Sequence, residues 1–193
     1  MDLYDKLVQK YQKKHLSLST TQTTIEETDT DAVTKNATIE HSGTEVLKVS
    51  KDLLSEIRDA IGGKAVEVCD GIAATSTHIG YFELKSMCST TNVLKARSQI
   101  LDSQCHWQEI AKTCSIDMSN YIEKGIIVTQ PITDENRRKA QQRRKRDDDL
   151  NNAVSSARFL LKLLAGKAVA NEAGMPLLHF NAGETIPLEK IFF

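Results

Sequence analysis

Apolar residues recur at helical spacing in the second half of the chain, most clearly between residues 150 and 170. The positions that share one face of this predicted helix are Leu150, Ala153, Val154, Ala157, Leu160, Leu161, Leu164 and Ala168. The stripe covers roughly 120° of the helix surface, and Phe159 and Leu163 lie outside it, so several sides are expected to be buried. Because the heptad pattern lasts for only about two repeats, the core of a bundle or oligomer is favoured over a dedicated coiled coil.

The residues before this stripe, 133–149, are highly charged and contain no apolar face that could enter a core. Asp134 and Glu135 suit the positive end of a helix dipole, whereas Gly174 and Pro176 are typical of a helix end. We therefore predict one long helix over about 133–173. At about 1.5 Å per residue it would form a rod of roughly 60 Å.

Basic residues fall on every side of the first half of this predicted helix. They are Arg137, Arg138, Lys139, Arg143, Arg144, Lys145 and Arg146. One interpretation is a helix that contacts nucleic-acid phosphates through Arg137, Arg138, Arg143, Arg144 and Arg146. The other is a solvated helix whose cations pair with Asp147, Asp148 and Asp149 four residues on. These aspartates would also repel a phosphate backbone, and the sequence leaves both interpretations open.

The N-terminal part of the chain divides into two predicted segments. Residues 1–14 contain a short amphipathic docking helix, whose shared face consists of Leu3, Tyr4, Leu7, Val8 and Tyr11. Residues 15–44 are rich in Thr and Ser and show no sustained period, which predicts a flexible, disordered linker. Whether the helix docks on its own protein or on a partner is left open.

Residues 45–193 form the predicted main domain. Apolar spacing predicts helices from about residue 45 to 61, onward from Lys64, and over 93–115, and the short, β-branched segment 126–131 predicts an extended connector. The residues after Gly174 are apolar but interrupted by proline, so we expect an extended tail that packs through Phe192 and Phe193. The predicted fold class is all-α, a helical bundle with one long C-terminal helix.

Composition narrows the function classes only slightly. The net charge is −1 and aromatic residues make up 5% of the chain, so any nucleic-acid affinity must be local. The N-terminus has no signal-peptide pattern and the chain has no apolar run of membrane-spanning length, which predicts a cytoplasmic or intracellular protein with reduced cysteines.

Candidate chemistry is sparse. Cys88, Cys105, His106 and Cys114 are candidate zinc ligands, but their spacing lacks the short Cys pair that most zinc sites contain. A cysteine nucleophile would need one of the histidines His78, His106 and His179 nearby, and no pattern marks them. Phosphate-binding glycine motifs are also missing from the sequence. We therefore predict no catalytic residue, metal or cofactor, and a protein that is not an enzyme.

The sequence favours a structural or protein-interaction protein that forms a homo-oligomer or binds a protein partner. The predicted interface consists of Leu150, Val154, Ala157, Leu160, Leu161, Leu164, Phe192 and Phe193. The alternative is a nucleic-acid-binding accessory protein that uses the basic segment 137–146.

Overall fold

The computed structural model describes residues 3–61, 67–149 and 156–193, and for residues 147–149 it describes the backbone alone. These residues form a mixed α/β structure with two sheets. The helices are α1 (Leu3–Val8), α2 (Lys51–Ala60), α3 (Thr90–Thr113), α4 (Asp134–Asp149), α5 (Ser156–Leu164) and α6 (Leu188–Phe192). The strands are β1 (Leu16–Ser19), β2 (Gln22–Glu26), β3 (Asn36–Glu40), β4 (Val46–Ser50), β5 (Gly71–Ala74), β6 (His78–Lys85), β7 (Ile122–Thr129), β8 (Val169–Ala170), β9 (Pro176–Asn181) and β10 (Thr185–Pro187).

The larger sheet has seven strands in the order β1-β4-β5-β6-β7-β9-β8. Its first four strands pair antiparallel, β6, β7 and β9 run parallel, and β8 returns antiparallel at the far edge. Helix α3 forms the crossover between β6 and β7, because parallel neighbours cannot be joined by a tight turn. Strands β6 and β7 consequently end at the same edge, where Lys85 pairs with Thr129.

The smaller sheet, of order β10-β3-β2, covers one face of the larger one. Its core consists of buried side chains such as Ile25, Ile39 and Ile186, which pack with Phe82 of β6 and Phe192 of α6. The opposite face of the larger sheet is covered by helices. Its buried core includes Leu7 of α1, Leu53 and Leu54 of α2, Ile100 and Trp107 of α3, and Leu160 of α5.

Helix α3 owes its position to a local cap and to a close approach. Ser89 caps its start by accepting a hydrogen bond from the Asn92 amide at 3.3 Å. At Gly125 of β7, a Cβ atom would lie 2.3 Å from Leu177 and 2.8 Å from Ile100, so only glycine lets the helix and the neighbouring strand meet there.

The predicted all-α bundle, including its coiled-coil alternative, is therefore wrong. Residues 71–74, predicted as part of a helix, form β5. They are a short apolar run buried on both faces, and such a run carries no period that separates strand from helix, so strand pairing decided its conformation. The connector predicted at 126–131 is extended as far as Thr129, but it is the buried end of β7 between β6 and β9 rather than a lone segment.

Two further parts of the fold prediction need correction. The segment 15–44, predicted to be disordered, contains β1, β2 and β3. Strands β2 and β3 pair with each other, whereas β1 pairs with β4 and β3 also pairs with β10, and this pairing orders the segment. The structure gives two helices within the predicted long helix, α4 and α5, and α5 ends at Leu164 rather than near residue 173. The tail contains β9, β10 and α6. Residues 150–155 of that predicted helix lie outside the described residues.

The predicted docking helix covers only Leu3–Val8. It packs on its own protein, where Leu7 is fully buried and Leu3, Tyr4, Val8 and Tyr11 are partly buried against the helical-face core. Within the described ranges, none of the helices combines the length and apolar character needed to cross a bilayer.

Candidate functional site

A cluster of charged side chains lies where β5 begins and β6 ends, under the start of α2. We call it the acidic-lysine cluster, and it consists of Glu27, Lys51, Asp70, Glu83 and Lys85. The side chains of Asp70 and Glu83 are 0% and 1% exposed, whereas that of Lys51 is 26% exposed. Charged side chains are rarely buried in proteins, and buried titratable groups are often found at functional sites. The cluster is therefore the first candidate site in the fold.

Strand pairing brings the two buried carboxylates together. Gly71 of β5 pairs with Phe82 of β6, and the Asp70 amide donates to the Phe82 carbonyl at 2.9 Å. One further step along this antiparallel ladder sets Asp70 opposite Glu83. Lys85 lies two residues after Glu83 and therefore projects from the same face of β6.

Asp70 is held on both of its oxygens. Its Oδ2 accepts from the Leu84 amide at 2.8 Å, and its Oδ1 accepts from the Lys51 ammonium at 2.6 Å. Lys51 is the first residue of α2, directly after β4, and it also donates to Oε1 of Glu27 at 3.2 Å. Glu27 directly follows β2, so the smaller sheet contributes one carboxylate to the cluster.

Glu83 has one oxygen with a partner and one without. Its Oε1 accepts from the Lys85 ammonium, whereas its Oε2 is buried and has no hydrogen-bond partner. Lys85 also donates to Oε1 of Gln99 on α3 at 2.7 Å. A buried carboxylate oxygen without a partner is costly, and such an atom calls for an explanation such as an ion.

Burial and neighbouring charges shift the pKa values of the cluster. Burial is the largest influence on Glu83 and, with the charge of Asp70, raises its pKa to about 8 although Lys85 and Lys51 oppose the shift. Burial also raises the pKa of Asp70, against the opposing effects of Lys51 and the Leu84 amide. Burial tends to lower the pKa of Lys51, but Asp70, Glu27 and Glu83 outweigh it and raise that pKa.

Helix α3 holds the strand that carries Asp70. Ser103 accepts from the Cys69 amide at 2.7 Å and donates to the Gln99 carbonyl at 2.7 Å, and Gln99 donates to the Val68 carbonyl at 3.4 Å. These bonds hold Val68 and Cys69, the two residues just before Asp70, against α3.

The oxygen atoms of Asp70 and Glu83 suit a hard divalent cation. Magnesium is commonly held by one or two carboxylates and keeps several water molecules, so two protein ligands suffice. Among the described residues, no three His, Cys, Asp or Glu side chains are arranged to hold a metal by themselves. Any cation held here would therefore complete its coordination with water and substrate oxygens.

The basic helix α4 begins close to the loop that follows β6. Asn136 in its first turn donates to the Cys88 carbonyl at 3.3 Å, three residues beyond Lys85. The candidate nucleic-acid residues Arg137, Arg138, Arg143, Arg144 and Arg146 are all exposed, and so are Lys139 and Lys145. Lys139 pairs with Glu135 at 2.5 Å, and the side chains of residues 147–149 lie outside the described part of the chain.

The predicted interface residues do not form one surface. Ala157 and Leu160 are fully buried in the protein's own core, and Leu161 and Leu164 are partly buried against it. Phe192 is buried on the other side of the larger sheet, in the core that the smaller sheet covers. Phe193 is 88% exposed, and Leu150 and Val154 lie outside the described residues. Assembly of several copies through these residues stays a prediction.

The cysteine and histidine candidates are dispersed. Cys105 is exposed, whereas Cys88 and Cys114 are buried, and all three are free thiols. His106 contacts the Asp102 carbonyl of its own helix, and His78 contacts the rings of Phe192 and Phe193. His179 contacts the Thr129 hydroxyl at 3.0 Å.

Sequence reasoning missed the whole acidic-lysine cluster. A signal was present in β6, where the charged residues Glu83 and Lys85 follow a run of apolar residues at a spacing of two. Once residues 78–85 are read as a strand, that spacing puts both charges on one face. Comparisons of the chain with protein-family models, with curated proteins and with solved structures found no match.

Proposed function

We propose that this protein is a divalent-metal-dependent phosphodiester hydrolase that acts on nucleic acid. The observation that carries the proposal is the buried, unpartnered Oε2 of Glu83, set opposite Asp70 and beside Lys85. A buried carboxylate oxygen without a hydrogen-bond partner, next to a second carboxylate, can serve as a ligand when a cation binds. The proposal departs from the non-enzymatic protein that the sequence predicted.

Each residue of the cluster has a distinct task in this proposal. Asp70 and Glu83 would hold the cation, whose charge would acidify a water molecule and stabilise phosphate oxygens. The Lys85 ammonium orients the attacking water or neutralises the charge that develops on the phosphate. In the reaction a water oxygen bonds to phosphorus, the bond to one sugar oxygen breaks, and that oxygen takes up a proton.

Substrate class follows from the neighbouring charge. Helix α4, whose basic residues are exposed, begins beside the loop after Lys85, and exposed cations attract a polyanionic backbone over a distance of roughly 10 Å. This location supports the nucleic-acid interpretation of segment 137–146 over that of a purely solvated helix. The affinity it provides would not depend on base sequence.

The test is a cleavage assay with labelled single- and double-stranded DNA and RNA, in magnesium or manganese and in chelator. We expect metal-dependent cleavage that Asp70→Asn and Glu83→Gln each reduce by at least about 100-fold. Glu26→Gln is the matched control. Glu26 lies one residue before Glu27, and its exposed carboxylate pairs with Lys48 outside the cluster. If the wild-type protein cleaves none of these substrates, or if the Asp70 and Glu83 variants match the control, the proposal fails.

A separate assay tests the basic helix. Replacing Arg143, Arg144 and Arg146 together by Ala should weaken binding to nucleic acid and reduce the salt dependence, since each lost phosphate contact lowers the slope by about 1. Binding is measured in chelator, so that cleavage cannot interfere. An unchanged salt dependence would remove α4 from the proposed substrate surface and leave the metal site unaffected.

A further inference from the structure

Lys51 is placed where a cation of the proposed site would lie. Its ammonium is 2.6 Å from Oδ1 of Asp70 and 3.2 Å from Oε1 of Glu27, and Glu83 also contributes to its electrostatic environment. Two carboxylates therefore bind one amino group, and the charge of a third acts on it. A lysine ammonium is a compact charge on a flexible stem, so it can take and leave such a position.

The exposed fractions of the cluster's side chains indicate that Lys51 lies between the carboxylates and solvent. Asp70 and Glu83 have no accessible side-chain surface of consequence, and the Glu27 side chain is 10% exposed. Lys51, at 26% exposed, is the member of the cluster with the greatest access to solvent. A cation that enters from solvent toward Asp70 must therefore displace the Lys51 ammonium.

We propose that Lys51 is a built-in counter-ion that competes with the divalent metal for Asp70 and connects the metal-free site to the smaller sheet through Glu27. The inference rests on the proposed function, because it concerns the same site. In the metal-free protein the ammonium neutralises Asp70, which would otherwise be a buried charge without a bound counter-charge. Metal binding releases Lys51 from Asp70 and thereby loosens its bond to Glu27.

The first test measures Mn²⁺ binding to the full chain by titration calorimetry, without nucleic acid. Lys51→Met should bind Mn²⁺ at least about tenfold more tightly than the wild type, because a competing charge next to the metal has been removed. Lys51→Arg keeps the charge and should stay within about threefold of the wild type. The matched control is Lys48→Met, which removes a lysine from β4 that pairs with Glu26 at 3.0 Å and should leave the affinity unchanged.

The second test needs no substitution, so it does not depend on whether a variant folds. Lysine side chains of the wild-type protein are acylated briefly with and without Mn²⁺, and the modified sites are quantified by mass spectrometry. We expect Mn²⁺ to raise modification of Lys51 several-fold, whereas Lys48 stays constant. Equal or lower modification of Lys51 with the metal overturns the inference.

The outcomes separate this inference from the proposed function. If Asp70→Asn binds Mn²⁺ as well as the wild type does, or if neither protein binds it, the metal site itself is refuted and both proposals fall. If Asp70→Asn loses binding while Lys51→Met binds like the wild type, the counter-ion role alone is refuted. Equal tightening in Lys51→Met and Lys51→Arg also refutes it, because charge would then not be the cause.

Discussion

Glu83 gives the sharpest prediction, because one substitution at this residue should raise stability while it removes the proposed activity. Its pKa is raised from an ordinary value of 4.5 to about 8, chiefly by burial. Between these two values the folded protein holds a proton that the unfolded chain has lost. The free energy of unfolding therefore falls as the pH rises through this range, and the loss is complete above about pH 8.

The magnitude follows from the same two values. The difference between 4.5 and about 8 corresponds to roughly 5 kcal/mol in the free energy of unfolding. Glu83→Gln removes this pH-dependent penalty, but it also removes the carboxylate that pairs with Lys85. Because Lys85 keeps its bond to Gln99, we expect a net gain of about 2–4 kcal/mol above pH 8 and almost none near pH 5.

Urea denaturation from pH 5 to 9 in chelator measures this difference. Trp107 is the single tryptophan and is fully buried, so its fluorescence reports unfolding. The stability advantage of Glu83→Gln should grow with pH. Added Mn²⁺ should stabilise the wild type alone, because a ligand that binds the folded state shifts the equilibrium by mass action. Equal pH dependence in both proteins would refute the assignment of the raised pKa to Glu83.

Three further predictions concern the packing around the site and the thiols. Gly125→Ala should lower the free energy of unfolding by about 1–3 kcal/mol in urea denaturation, because its Cβ would lie 2.3 Å from Leu177; full stability would contradict this packing. Ser103→Ala should cost about 1–3 kcal/mol in the same measurement, since it leaves a buried amide unpaired; a loss below a few tenths would argue against that bond. Iodoacetamide at pH 8 should modify exposed Cys105 first and spare Cys69, because burial raises the pKa of Cys69 to about 12; mass spectrometry that finds Cys69 modified equally fast would refute this.

The proposed hydrolase and the predicted oligomer are independent of each other. Leu160, which the sequence assigned to an interface, already lies in the core under the main sheet. Leu160→Asp should therefore unfold or precipitate the protein whether or not it assembles. Phe193, at 88% exposed, is the better probe of assembly, because its replacement leaves the core intact.

Local sequence determined the elements whose signals are contained within a few turns of chain. Helix α3 was predicted over 93–115 and lies at Thr90–Thr113, because its apolar positions repeat at 3.6 residues and a polar side chain caps its start. The helical conformation of α4 and the exposure of its basic residues were also predicted from the sequence. The conformation of such helical segments can be predicted from the local sequence, because it does not depend on distant residues.

Only the tertiary structure decided the sheets and the candidate site. Residues 71–74 are buried on both faces and adopt a strand because β4 and β6 pair with them on either side. The same pairing sets Asp70 opposite Glu83, and α2 then brings Lys51 to both Asp70 and Glu27 from other parts of the chain. Contacts between residues far apart in sequence produce no local periodicity in the sequence. The site therefore cannot be predicted without the register of the strands.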